Sequence, residues 1–362
     1  MSKQLRVAVR TDASDLIGSG HVMRTLAVSQ ALHARGAHVT YICRNRPYGM
    51  RGTIESAGFE VDELPAVHEP GDAWLGATYE EELADSARAL EPLAPIDLLL
   101  VDHYSLDTRW EGRMRAFCRR VMAIDDMANR VHDCDILLDQ NLGADDPGRY
   151  DALASPHTRR LLGPKFAMLR EEFRPYIAHP RERAGSIERI LVFISGFDPG
   201  DETGKALRAL DTLEQRPSVV QVVLPEEAPH AARIREHCER SGYSYLGRVQ
   251  TMAPLMNDAD LGIGGVGSTT WERCALGLPA IVVTVAENQR NGARAAAQAG
   301  AIQWLGEAQD VAEGDIAGAI AQLQRDPARL PAMSEKARAL IGAEDGTFPM
   351  DRVLKCIFEV IE

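Results

Sequence analysis

The stretch RVAVRTDASDLIGSGHVMR, from Arg6 to Arg24, places a histidine where a glycine turn passes a short apolar strand on to a helix. Gly18 and Gly20 supply the turn, Val7 and Val9 alternate with more polar neighbours, and apolar residues recur at helical spacing from Val22 through Leu32. His21 is therefore expected at or near a helix N-terminus. The positive end of the helix dipole disfavours imidazolium there, so the ring is expected in its neutral, proton-accepting form. A neutral histidine beside an open turn is a candidate general base. Residue type alone leaves a helix cap or a packed ring as alternatives. A dinucleotide fingerprint fits poorly, because Met23 occupies the third glycine position. Asp12 could orient His21 through the other ring nitrogen, the alternative being a plain loop carboxylate.

A second chemical stretch, DLGIGGVGSTTWERCALGLPAIVVTVAENQ, runs from Asp260 to Gln289. A strand ends in Gly264, Gly265 and Gly267, Ser268 and Thr269 are expected to cap a helix that runs to Leu276 and stops at Gly277, and Pro279 opens the next strand. Small residues let backbone amides approach a diphosphate, and the helix N-terminus adds partial positive charge. Glu272 is expected in the first turn of that helix, within reach of ribose hydroxyls; a dipole-compensating helix acid is the alternative. Asp125 and Asp126 invite a metal reading, but adjacent carboxylates after a strand more often cap turns, and no metal site is expected.

These residues need elements to hold them. Strand-like runs RVAVR, AHVTYIC, IDLLLVD, RRVMAID and CDILLD alternate with helical stretches in the first half, and RILVFIS, SVVQVVL, DLGIG and AIVVTVA do so in the second. The alternation predicts α/β architecture: two doubly wound, Rossmann-like domains with a cleft between them. The expected division is 1–173, a connection over 174–186 marked by two prolines and a charge cluster, and 187–350. A helix over 351–362 could cross back to the first domain.

The 362 residues carry a formal net charge of -13, which argues against nucleic acid or an anionic membrane as the main partner. Six cysteines (Cys43, Cys118, Cys134, Cys238, Cys274 and Cys356) contain no CxxC pair, which fits free thiols in a reducing compartment. The first strand begins almost at once, and no apolar run approaches membrane-spanning length, so a cytoplasmic protein without a signal peptide is expected.

The run VQTMAPLMNDADLGIGGVGSTTWE is similar to the nucleotide-binding region of the two-domain glycosyltransferase-B superfamily. Together with VDHYSLD, IDDMANRVHDCDILLDQNLG, LLGPKFAMLREEF and the opening block, it resembles the UDP-2,4-diacetamido-2,4,6-trideoxy-beta-L-altropyranose hydrolases of pseudaminic acid biosynthesis. The resemblance implies that His21 is the general base, Tyr104 in VDHY a sugar-site tyrosine and Asn288 a substrate-binding asparagine. It likewise implies that Glu272 and the turn from Gly265 to Thr269 hold uridine diphosphate. The candidate set is then His21 and Tyr104 as catalytic residues. The substrate-binding residues are Asp12, Gly20, Gly196, Val249, Gly265, Gly267, Ser268, Thr269, Glu272, Glu287, Asn288 and Gln289. Ser195 stands where the family tends to show a glycine before Gly196. The implied reaction is attack of water at the anomeric carbon with inversion and release of UDP, with no cofactor and no metal. A glycosyltransferase of the same fold and a non-catalytic nucleotide-sugar binder are the rival functions.

Overall fold

The run IDLLLVD has no polar face, as expected of a strand with helices on both sides of its sheet. In the protein, a computed structural model describing residues 4–14, 16–66, 74–343 and 346–362, it forms a central strand buried along its whole length. The chain divides into two compact units. One comprises Met1–Glu171 and Pro349–Glu362, the other Glu172–Phe348.

The first unit is built on seven parallel strands: β1 (Arg6–Thr11), β2 (His38–Arg44), β3 (Glu60–Leu64), β4 (Ile96–Asp102), β5 (Cys118–Ile124), β6 (Ile136–Asp139) and β7 (Arg159–Leu162). Their order across the sheet is β3-β2-β1-β4-β5-β6-β7. Val7 pairs with Val39 on one side and Leu98 on the other, which puts β1 and β4 at the point where the strand order reverses. The alternation in β1 does not mark a solvated face: Arg10 is fully buried, its guanidinium held by Asp12 and Glu82.

The second unit has six parallel strands: β8 (Arg189–Phe193), β9 (Val219–Val222), β10 (Ser244–Tyr245), β11 (Leu261–Gly265), β12 (Ala280–Thr284) and β13 (Gln303–Glu307). Their order is β10-β9-β8-β11-β12-β13, with the reversal between β8 and β11. Ile190, Val192, Leu261, Ile263, Ile281 and Val283 line one face of this sheet and pack under helix residues such as Leu207, Leu210 and Ile320.

One boundary differs from the sequence reading. Residues 174–186 belong with the second unit instead of standing between the two. Arg174–Ala178 forms a short helix with Pro175 in its first turn. The buried Arg183 donates to the carbonyls of Ala259, Gly277 (2.7 Å), Met256 (3.2 Å) and Leu276 (3.3 Å), satisfying the ends of two helices. The helix Pro349–Ile361 packs with the first unit. It buries Met350, Val353, Leu354 and Ile357, and its Val360 carbonyl accepts from Arg120 Nε at 2.8 Å.

Candidate functional site

In the first unit, Gly18 takes a φ of +76°, where a side chain would be strained, and its N–H closes the turn onto the Ser14 carbonyl at 2.8 Å. The helix Gly20–His33 follows, so His21 is its second residue. His21 Nδ1 lies 2.6 Å from Asp102 Oδ1 at the end of β4. A carboxylate only accepts, so Nδ1 carries a proton, and in the neutral imidazole Nε2 then presents its lone pair.

Arg24, one turn further along the same helix face, donates to both Asp102 oxygens at 2.6 Å and to Asp126 at 2.8 Å. Burial on its own raises the Asp102 pKa, but the Arg24 guanidinium and then His21 outweigh it and hold the carboxyl well below its usual range. Asp102 is therefore a fixed anion beneath the imidazole.

Tyr104 meets His21 edge-on with ring centroids 4.5 Å apart, and Trp74 stands 6.3 Å from His21 and 5.1 Å from Tyr104. Burial and the neighbouring Asp126 carboxylate push the Tyr104 hydroxyl far above the ordinary phenol value, so it remains a protonated donor. His21 and Tyr104, expected together, are adjacent. They follow β1 and β4, the strands that flank the reversal, where doubly wound sheets gather ligand-binding residues.

Asp12 does not orient His21. It is buried, with Oδ1 accepting from Arg10 Nη1 (2.5 Å) and from the Arg44 N–H (2.7 Å), and Oδ2 from Arg10 Nη2 (2.9 Å). Burial raises its pKa, but Arg10 holds it below the usual range. These bonds make Asp12 a structural counter-ion of β1 rather than a residue open to substrate. Asp125 caps its own turn, accepting from the N–H groups of Met127 (3.1 Å) and Ala128 (3.0 Å), and it also binds Arg130 at 2.8 Å. His103 accepts from the Ser105 N–H through Nδ1 at 3.2 Å, which leaves Nε2 to donate to the Trp74 carbonyl, also at 3.2 Å. Among the described residues, no group of three His, Cys, Asp or Glu side chains is arranged to hold a metal ion.

In the second unit, Gly196, the Gly265–Thr269 turn and Glu287–Gln289 follow the carboxyl ends of the adjacent strands β8, β11 and β12. The Gly265 N–H donates to the Ile194 carbonyl at 3.2 Å, which joins the first two of these loops. Ser195 acts locally, because its Oγ accepts from the N–H of Asp198 at 2.9 Å and of Phe197 at 3.4 Å and so turns the loop. The glycines divide by role. A Cβ on Gly265 would lie 2.5 Å from the Ile194 oxygen and one on Gly264 2.6 Å from the Phe193 oxygen, so both serve close strand packing. A Cβ on Gly267 would meet nothing within 4 Å, which leaves that backbone open to approach.

The helix itself is Ser268–Ala275. Gly267 is the N-cap, and its N–H donates to Thr270 Oγ1 at 3.3 Å, so Ser268 and Thr269 are the first two helical residues and not caps. Glu272 is the fifth residue and therefore lies in the second turn, buried. Glu287 and Asn288 are exposed, whereas Gln289 Oε1 accepts from the Val285 N–H at 2.9 Å and braces the loop. Gly20 is exposed at the start of its helix, and Val249 is half-buried in the loop after β10. The sequence reading missed Asp102, Arg24 and Trp74. Arg24 carried a usable signal, lying three residues from His21 on one helical face.

Residues 206–346 match the glycosyltransferase family 28 C-terminal domain. The chain is 24% identical over 295 residues to protein MJ1062 of Methanocaldococcus jannaschii, covering 79% of this chain and 57% of that protein. It is 26% identical over 181 residues to the UDP-2,4-diacetamido-2,4,6-trideoxy-beta-L-altropyranose hydrolase of Campylobacter jejuni, covering 49% of this chain and 57% of the relative. The chain thus spans little more than half the length of these curated relatives. Among solved structures, it is similar to MurG of Acinetobacter baumannii (TM-score 0.67, 15% identity, 98% of this chain and 99% of that one). It is also similar to the spinosyn rhamnosyltransferase SpnG complexed with thymidine diphosphate (TM-score 0.68, 17% identity, 98% of this chain and 100% of that one). The two parallel-sheet α/β units are those of the glycosyltransferase-B fold. Among the described residues, no helix is long and apolar enough to cross a membrane.

Proposed function

We propose that the protein hydrolyses a UDP-sugar at its anomeric carbon, with UDP-2,4-diacetamido-2,4,6-trideoxy-beta-L-altropyranose as substrate, in pseudaminic acid biosynthesis. The observation that carries this reading is the 2.6 Å bond from His21 Nδ1 to Asp102, which leaves Nε2 as the base. Water attacks the anomeric carbon from the face opposite the diphosphate, Nε2 takes the water proton, and the bond from carbon to the β-phosphate oxygen breaks. The sugar leaves with inverted configuration and UDP departs as an anion. UDP is already a good leaving group at neutral pH, so it needs charge stabilisation more than a protonating acid. Backbone amides around Gly267 and the N-terminus of the helix Ser268–Ala275 supply it. Tyr104 donates to the sugar, and Glu272, Asn288 and the Glu287–Gln289 loop complete the nucleotide-sugar contacts.

The family 28 match and the glycosyltransferases among the structural neighbours favour one rival, transfer of the sugar to an acceptor other than water. A proton NMR time course with the diacetamido trideoxy UDP-sugar separates them. Release of UDP with the inverted free sugar as first product is expected. Intact substrate that turns over only when an acceptor is added would overturn hydrolysis in favour of transfer.

A further inference from the structure

The loop after β5 delivers a second carboxylate to the end of β4. The two strands are parallel neighbours, with Val101 paired to Ala123, so Asp102 and the loop that starts at Asp125 emerge side by side. Asp125 is taken up by its own turn, accepting from the Met127 and Ala128 N–H groups and from Arg130. Asp126 faces the neighbouring strand end instead. Its Oδ2 accepts from Arg24 Nη1 at 2.8 Å, and its carboxylate lies beside the Tyr104 hydroxyl. Arg24 thus spans two aspartates, with Nε and Nη2 on Asp102 and Nη1 on Asp126.

The charges around a protonated His21 do not balance without Asp126. Arg24 Nη2 lies 3.3 Å from His21 Nδ1, so a proton taken up by the imidazole creates a second cation against the guanidinium. Asp102 offsets only one of the two. Tyr104 and Trp74, which pack on the imidazole, carry no charge. The cations further out have other partners. Arg130 binds Asp125 at 2.8 Å, and Arg149 Nη2 lies 3.4 Å from Asp139 Oδ2 and meets the backbone carbonyl of Asp126 at 3.2 Å. Asp139, pushed up to about 7 by burial, accepts from the Tyr150 hydroxyl and the Asn141 N–H. Asp126 is therefore the second carboxylate on the cation that touches the base.

We infer that Asp126 is a positioning residue for the reaction at His21: it shares Arg24 with Asp102 and supplies the second negative charge that the imidazolium needs when Nε2 takes the proton from water. This rests on His21 being the base proposed above. Asp126 acts through Arg24 and through its charge, so its loss weakens the base and leaves nucleotide binding as it was.

The test is an NMR titration of the His21 ring in the full chain, its signal assigned by its absence in His21→Ala, together with initial rates on the diacetamido trideoxy UDP-sugar. Wild type is compared with Asp126→Asn and Asp126→Ser, which remove the charge, and with Asp126→Glu, which keeps it, with folding checked by circular dichroism. Without the charge the ring holds its proton less tightly. The titration midpoint and the acid limb of kcat are both expected at lower pH, by about three- to tenfold in proton affinity, the scale of one charge acting over several ångströms in a partly screened site. The plateau kcat is expected to fall by about three- to thirtyfold with KM little changed, and Asp126→Glu to recover most of both effects. An unmoved midpoint in the charge-removing variants overturns the inference even where the rate falls, because a merely structural support would slow the enzyme without retuning the ring. A moved midpoint with wild-type kcat overturns it as well. If one charge-removing variant does not fold, the other decides. The titration is read without turnover and so separates the two readings. Hydrolysis by wild type with an unmoved midpoint in the variants sinks this inference alone. A moved midpoint, in a protein whose wild type turns over only with an acceptor, overturns hydrolysis and leaves Asp126 supporting the base of a transferase.

Discussion

His21 is hydrogen-bonded through Nδ1 and packed edge-on by Tyr104. Nδ1 is engaged by Asp102, and Asp102 is in turn clamped by two hydrogen bonds from Arg24. Removing the base should therefore cost rate and not binding. His21→Ala is expected to slow hydrolysis by about 100- to 10,000-fold while leaving UDP affinity unchanged, checked by initial rates and calorimetry on the same folded sample. Asp102→Asn probes the tautomer. An amide nitrogen facing Nδ1 donates where the carboxylate accepted, which moves the ring proton to Nε2 and disables the base. A loss of up to about 10,000-fold in kcat with little change in KM is expected, by analogy with other His–Asp pairs. Wild-type kcat in Asp102→Asn would remove the pair from the mechanism.

At the scale of elements, both candidate regions sit at the carboxyl edge of a parallel sheet, beside the strands where the order reverses: β1 and β4 in one unit, β8 and β11 in the other. The glycine turn combines packing and access, and substitution can separate the two. Gly265→Ala brings a Cβ within 2.5 Å of the Ile194 oxygen, which accepts the N–H of the same residue, so neither backbone can yield cheaply. A stability loss of about 1–3 kcal/mol is expected in urea denaturation. Gly267→Ala meets no atom within 4 Å and has an extended φ of −176°, open to any residue. It should leave the denaturation midpoint in place and weaken UDP binding by crowding the ligand. A shifted midpoint with intact binding would reverse the roles given to the two glycines.

At the scale of the whole molecule, the last helix is an integral part of the first unit. Met350, Val353, Leu354 and Ile357 are buried, and full burial of each such side chain is worth roughly 1.5–3 kcal/mol. A chain ending at Phe348 is expected to lose the first unit's cooperative unfolding transition, measured by calorimetry and limited proteolysis. The pH dependence of stability should carry a basic limb from His132. Its Nδ1 lies 2.6 Å from Glu111 and its Nε2 3.6 Å from Asp125. Burial alone lowers its pKa, but these carboxylates raise it to about 9 from an ordinary 6.5. A raised folded-state pKa means that the folded state holds the proton more tightly. The stabilisation is therefore complete below pH 6.5 and is lost as pH climbs through about 9, on the order of 3 kcal/mol in all. His132→Gln should flatten that limb in urea titrations between those pH values. An unchanged slope would assign it to other groups.

What the amino-acid sequence determined by itself were the inner strands and the turns between chemistry-bearing residues. All nine strands expected from apolar runs lie inside their sheets, whereas the four that were missed, β3, β7, β10 and β13, are the four sheet edges. Inner strands are buried on both faces and must be apolar. Edge strands such as EVDEL and RRLL face solvent and carry no such signal. His21 at a helix start and the open glycine turn were legible for a related reason, since local backbone geometry dictates local residue type. The partner of His21 was not. Asp12 and Asp102 are both aspartates at the ends of neighbouring parallel strands, and nothing in their local sequence says which one faces the imidazole. Pairing across a sheet decides that, because Arg10 in β1 turns Asp12 inward and leaves Asp102 to Arg24 and His21.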